Sequence, residues 1–358
     1  MSLWVDKHRP RSLQNLHYHK DLSDRLAALA SNPDFPHLLV YGPSGAGKKT
    51  RIVATLKELY GPGVEKLKID QRIFVTPSNR KLEVNIVSSV YHQEITPSDV
   101  GNYDRVVVQD LLKEVAQTQQ VDLSAKQRFK VVVINEADAL TREAQAALRR
   151  TMEKYTPNLR LILLCNSTSK IISPIRSRCL LIRVAAPSHD EIVGVLRHVA
   201  EMERVEVGEG LLRKVAEESG RNLRRAVLML EAAYAQSPGG GALTDANAVL
   251  TKPDWELFIA SVASSILAEQ SPSRLLSVRA QLYDLLTHCI PASTILKTLL
   301  LRLLEGLDEE LKVEVVKWAA FYEHRLRLGN KAIFHLEAFV ARVMRIQAGY
   351  LMGFGDDF

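Results

Sequence analysis

Residues 42–50 read Gly42-Pro43-Ser44-Gly45-Ala46-Gly47-Lys48-Lys49-Thr50, followed by a helical run from Arg51 to Leu59. A glycine-rich loop of this kind lets the backbone curl so that successive N–H groups, and the N-terminus of the next helix, point at a phosphate, while the first lysine neutralises its charge. The chemistry implied is binding of a nucleotide polyphosphate, ATP or ADP. The following position is anomalous. A hydroxyl there ordinarily ligates Mg²⁺, but Lys49 carries an ammonium, which cannot ligate a cation. Thr50 stands one residue on, a rotation of about 100° around a helix, so its hydroxyl is expected to point away from the metal. A second anomaly is Asn135-Glu136-Ala137-Asp138. An ATPase of this type has Asp first, to support the metal, and Glu second, to polarise the attacking water; Asn135 weakens the first role while Glu136 keeps the nominal base. Both departures damage the same ion. The expected site holds nucleotide through backbone amides and Lys48, binds Mg²⁺ weakly or not at all, and turns nucleotide over slowly or not at all.

The elements that must position these residues follow from patterning. Leu38–Tyr41, Val131–Ile134, Leu161–Leu164 and Leu180–Val184 are short continuous apolar runs, the signature of strands buried on both faces of a parallel sheet. They predict a three-layer α/β domain over residues 1–186. Pro187 stops the last strand, and Ser188 with Glu191 three residues later forms a capping-box pattern that opens a helix. Three helix-sized segments, around Ile192–Met202, Gly210–Ser219 and Leu223–Ala235, predict a small helical lid over 187–251. The Ser237-Pro238-Gly239-Gly240-Gly241 stretch is a loop. From 252 to 358 apolar residues such as Leu275, Leu276, Val278, Leu282, Leu285 and Leu286 recur at helical spacing, predicting an all-α domain whose broad apolar faces serve packing, a subunit interface, or both.

Composition sets the outer bounds. Apolar residues make up 46% and charged residues 25% of 358 residues, which is average globular usage for a chain of two or three domains. No apolar run approaches the about 20 residues of a membrane-spanning helix, and the first residues lack a secretory apolar stretch, so no membrane partner and an intracellular location are expected. Cys165, Cys179 and Cys289 lie far apart, with no metal-ligand spacing, and read as reduced thiols; no metal-ligating cluster is expected. Residues 1–186 hold 28 Lys and Arg against 18 Asp and Glu, whereas residues 187–358 hold 19 against 23. The first half is thus the one to suspect of touching polyanions, although solubility and nucleotide binding explain the bias equally well.

Taken together these motifs resemble the small subunits of replication factor C, the eukaryotic sliding-clamp loader of the AAA+ family, across nearly the whole chain. Trp4-Val5-Asp6-Lys7-His8-Arg9-Pro10 looks like the family's N-terminal box, which implies that Val5, Arg9 and Pro10 stand on the adenine side of the nucleotide. Asn166, in Cys165-Asn166-Ser167-Thr168, matches sensor 1, a polar group near the γ-phosphate. Arg178, in Ile175-Arg176-Ser177-Arg178-Cys179, matches the arginine that acts in trans on ATP bound by a neighbouring subunit. Arg224, in Gly220-Arg221-Asn222-Leu223-Arg224-Arg225, matches the sensor 2 phosphate contact, although the family's usual Asp after the glycine is missing. Lys49 and Asn135 together resemble the family's non-hydrolysing small subunit. The resemblance further implies a nuclear heteropentamer with one large and three other small subunits, the PCNA clamp and the primer–template DNA backbone as partners, and reuse with the alternative large subunits of checkpoint and cohesion loaders. Arg80 and Lys81, read as lying ahead of a helical run, and Lys170 are the DNA-backbone candidates; each is also an ordinary solvated charge. Two other readings stay open: a remodelling ATPase or helicase adapted to Lys49 and Asn135, and a scaffold whose P-loop is a relic.

Overall fold

The structure, a computed structural model, describes residues 2–75, 81–117, 129–236, 250 and 252–353. It falls into two compact units, residues 1–250 and 251–358. In the first, a short helix α1 (Trp4–Lys7) and α2 (Lys20–Ser31) precede β1 (Leu38–Tyr41), which runs through the P-loop into α3 (Lys48–Tyr60). Then come β2 (Lys68–Val75), β3 (Lys81–Ser88), β4 (His92–Ile95), α4 (Asp104–Gln117), β5 (Lys130–Ile134), α5 (Arg142–Tyr155), β6 (Leu159–Cys165), α6 (Ser173–Arg176) and β7 (Leu180–Arg183). The strands form one sheet in the order β2-β3-β4-β5-β6-β1-β7. Five are parallel from β4 to β7, while β2 and β3 form an antiparallel hairpin on the β4 edge.

Alternation along the central strands explains why their sequences read as unbroken apolar runs. Leu39, Val132, Ile134, Leu161 and Leu163 enter one core with Val108 and Leu111 of α4 and Leu148 of α5. Leu38, Val40, Val131, Val133, Ile162 and Leu164 enter another with Leu26 of α2 and Ile52 and Leu56 of α3. Each such side chain contributes about 1.5–3 kcal/mol by leaving water, so both layers are needed to hold the sheet. The three-layer α/β architecture is therefore as expected. One local expectation is corrected. Lys81 does not precede a helix but begins β3, in register with Val75. Leu82, Val84 and Ile86 alternate with Glu83 and Asn85 at the period of a half-buried strand, and that pattern overrides the turn-like residues before it. Arg80 lies outside the described residues.

The lid helices α7 (His189–Glu203), α8 (Glu209–Glu218) and α9 (Leu223–Gln236) follow. Ser188 and Glu191 make both hydrogen bonds of the capping box. Ile192, Leu196, Leu211, Val215, Ala226 and Leu230 form the lid core, and Trp4 of α1 is part of it, its ring 5.3 Å from that of Tyr234. The second unit is all helical: α10 (Asp254–Ala268), α11 (Pro272–Thr287), α12 (Ala292–Gly306), α13 (Glu309–Leu328) and α14 (Ala332–Leu351). Val278, Leu282 and Leu285 of α11 pack with Leu299, Leu303, Leu336 and Phe339, whereas Leu276, Val313 and Leu328 are exposed. No described helix is long and apolar enough to cross a membrane.

Candidate nucleotide-binding site

Strand register gathers the site. Tyr41 is paired with Cys165, and Ile134 with Leu163 on one side and Ile95 on the other. The residues that follow these positions, the P-loop, Asn166 and Asn135, therefore emerge together at the carboxyl edge of the sheet, where open α/β folds hold ligands. Gly47 caps α3 in the left-handed region at φ +79°, a conformation that costs a side-chain-bearing residue free energy and glycine little. A Cβ on Gly45 would meet Asn222 Oδ1 at 1.7 Å. Asn222 also accepts from the Arg225 N–H, so the start of α9 is seated directly against the loop.

Lys48 is the centre of the polar side. Its ammonium donates to the carbonyls of Gly42 at 2.6 Å and Pro43 at 2.8 Å and to Asn166 Oδ1 at 2.9 Å. Burial holds it below the ordinary lysine value, with Cys165 and Asp138 opposing and Arg224 adding to the depression. Asp138 also accepts from the Asn166 N–H at 3.3 Å. Lys48, Asn166 and Arg224 are thus brought to one place, a cationic cluster beside a helix N-terminus that suits a polyanion. Burial likewise pushes the Cys165 thiol up to about 11 and that of Cys179 to about 12, so both are inert as nucleophiles; Cys289 is exposed.

The neighbouring positions behave differently. Lys49 Nζ lies 2.6 Å from the carboxylate of Glu94, a buried residue of β4. Asn135 donates its backbone N–H to Ile95 O at 2.9 Å and its side-chain amide to Thr96 Oγ1 at 3.4 Å. Glu136 stands at φ +50°, a strained setting for a non-glycine residue, and accepts from Ser98 Oγ at 3.1 Å. No His, Cys, Asp or Glu group that could hold a metal occurs among the described residues.

A cavity of about 660 Å³ opens between the P-loop and the lid. Val5, Arg9 and Pro10 line it together with Gly45, Gly47, Thr50 and Arg224, and the lid adds Val199, Met202 and Val227. An apolar wall opposite a phosphate cradle is what a purine nucleotide needs. Three contributors had no motif to announce them. Tyr18 donates its hydroxyl to Ala46 O at 2.9 Å, under the guanidinium of the fully buried Arg51. His17 and His198 face each other in the cavity wall with ring centroids 4.4 Å apart; burial, then His198 and Lys20, holds His17 below its ordinary value. The α1 segment is tied to the lid by Lys7 and His8 on Glu203 and by the Trp4 N–H on Glu231.

Lys48, Lys49, Asn135 and Asn166 lie outside the lining of this cavity, and so do Arg178 and Lys170. Arg178 follows α6 on the surface, its guanidinium 2.6 Å from Glu153 and donating to Pro174 O at 2.8 Å. Glu153 also takes Arg149 at 3.3 Å, four residues earlier in α5, and the Arg149 hydrogen bond, with Arg178 adding, holds its carboxyl below the usual range. Lys170 is exposed, with its carbonyl fixed by Gln145 Nε2 at 3.1 Å.

Three families match in succession: DNA polymerase III, delta subunit, over residues 19–188; RCF1/5-like, AAA+ ATPase lid domain, over 194–235; and replication factor C subunit 3, C-terminal domain, over 255–351. The chain is 70% identical over 352 residues to replication factor C subunit 5 of Neurospora crassa, covering 98% of this chain and 99% of that one. It is 53% identical over 351 residues to human replication factor C subunit 3, covering 98% of each. Among solved structures, a single-residue variant of Thermotoga maritima RuvB shares the fold at a TM-score of 0.51 and 16% identity, over 78% of this chain and 87% of that one.

Proposed function

The chain belongs to the replication factor C small subunits, and from that premise we propose that it is the member of a clamp-loader heteropentamer that holds nucleotide without hydrolysing it and lends Arg178 to its neighbour. The division of labour follows the chain: residues 1–186 cradle the nucleotide, 187–251 close over it as the lid, and 252–358 form a collar through which one large and three other small subunits assemble. Exposed Leu276, Val313 and Leu328 supply apolar surface for that assembly. The loader uses ATP to open PCNA and place it on primer–template DNA in the nucleus, for replication and repair, and checkpoint or cohesion loaders with other large subunits reuse the same chain.

The observation that carries the reading is a split within one site. The cradle is complete, with Lys48, Asn166 and Arg224 converging beside a nucleotide-sized cavity. The metal side is not. An ammonium neutralised by Glu94 and a carboxamide that donates to Thr96 do not make a ligand set for a divalent ion. Glu136 is left as a base with no metal-bound phosphate to work on. Arg178 suits the opposite role, because it stands on the surface, held by Glu153. An arginine supplied across an interface raises phosphoryl transfer by about 10³- to 10⁵-fold, so the chain contributes to catalysis while its own site is silent. Lys81 and Lys170, both exposed, offer sequence-independent contacts to the DNA backbone.

The test is ATP turnover by the reconstituted five-subunit complex with clamp and primed DNA. Arg178→Ala is expected to remove the neighbouring site's share of turnover, and Lys48→Ala to leave the rate nearly unchanged. The reverse pattern would mean that this chain hydrolyses ATP itself.

A further inference from the structure

Lys49 has a partner that no sequence pattern announces. Its side chain leaves the first turn of α3, which follows β1, and ends on Glu94 of β4. In the sheet β6 and β5 lie between those two strands, and β5, next to β4, is the strand that continues into Asn135. Glu94 is in register with Val133, one residue short of the end of β5. The pair thus occupies the ground between the P-loop helix and the strand end, where this fold ordinarily places its divalent ion.

The burial is asymmetric. The Glu94 side chain is 6% exposed and that of Lys49 40%. A carboxylate so thoroughly removed from water demands a cation. No second one is supplied by His92, which is buried beside the pair on the same strand and held below its ordinary value by burial, with Glu94 opposing and Lys49 adding. Asn135 adds a dipole and no charge. The cation that Glu94 retains is therefore the ammonium of Lys49.

We infer that the Lys49–Glu94 ion pair stands in for the metal, so that this chain takes its nucleotide as the metal-free polyphosphate, and that Glu94 is the positioning residue that anchors the ammonium in the metal's place. The inference rests on the nucleotide-binding reading above and goes further, because it ranks the two departures from an active site. Asn135 alone is not the obstacle. A divalent ion brought in by Asn135→Asp would have to share the site with an anchored positive charge, and repulsion between cations is strong in a partly buried site.

The experiment is calorimetric titration of the full-length chain with ADP, in Mg²⁺ and in EDTA at matched ionic strength. For the wild type the two dissociation constants are expected to agree within about twofold, and Asn135→Asp should leave that ratio unchanged. Lys49→Thr alone would orphan the Glu94 carboxylate, so the decisive variant is Lys49→Thr/Glu94→Gln/Asn135→Asp. It should bind ADP about tenfold more tightly with Mg²⁺ than without. Asn135→Asp/Glu94→Gln, in which the ammonium is released but present, should fall between, at about threefold; a merely structural role for Glu94 would leave its ratio at one. Wild-type binding that is already about tenfold tighter with Mg²⁺, or full Mg²⁺ dependence in Asn135→Asp alone, overturns the inference and leaves nucleotide binding standing. Absence of ADP binding in both buffers overturns the nucleotide reading itself, and the inference with it.

Discussion

The cavity beside the P-loop, lined by Arg224, and the exposed surface around Arg178 each carry a cation, and they are built in opposite ways. The cavity is an outgrowth of the core. Its walls include Trp4, which is packed in the lid cluster, and its loop is braced by Tyr18 over buried Arg51. Arg178 stands on exposed ion pairs, one carboxylate shared with Arg149. The first site is therefore tied to the packing of the fold, whereas Arg178 is held only by surface contacts.

The strongest way to break the comparison is to remove Trp4. Its ring is buried against Tyr234, so Trp4→Ala should destabilise the first unit by about 3–5 kcal/mol in urea unfolding, and weaken ADP binding in parallel. Stability unchanged by this substitution would detach the pocket from the core.

Acid sharpens the contrast at intermediate strength. His37 is buried at the entry to β1, accepts from the Leu161 N–H at 3.0 Å, and has its pKa pushed down to about 4 by burial, with Arg160 adding to the depression. The folded state keeps it neutral while the unfolded chain protonates near the ordinary histidine value of 6.5. Stability is thus fully present above about pH 6.5 and lost as pH falls from there toward about 4, by about 2 kcal/mol on going from pH 7.5 to 5. Unfolding curves at the two pH values should show this loss, to which His17 and His92 add in the same direction, and His37→Gln should remove about that share. The Glu153 carboxyl is held below the usual carboxylate range by its arginines. A pH-independent stability would mean that His37 is not buried in its neutral form.

The smallest expected effect lies at the surface itself. Glu153→Gln should leave the urea unfolding midpoint unchanged, while the reconstituted loader keeps its turnover, because Arg178 is retained. A loss of stability would show that this surface is coupled to the core after all.

Legibility in the sequence followed the range of the interaction. The P-loop, the Ser188–Glu191 capping box and the central strands were readable because a glycine's φ, a cap three residues wide and a short unbroken apolar run are all written in neighbouring residues. Lys81 was misplaced where two local signals competed, turn-like residues before it and period-two alternation after it, and pairing with β2 made it a strand. Tyr18, His17 and His198 carried no spacing that distinguishes a cavity wall from an ordinary core or surface residue. Glu94 was invisible for a different reason. Lys49 as an anomaly was plain from residue type, since an ammonium cannot ligate a cation, and so were the cradle, the layer architecture and the loss at Asn135. What becomes of that ammonium was settled only when the order β4-β5-β6-β1 placed a buried carboxylate within its reach. Residue chemistry determines which roles a site has lost; the folded sheet, by fixing which distant groups share a low-dielectric space, decides what takes their place.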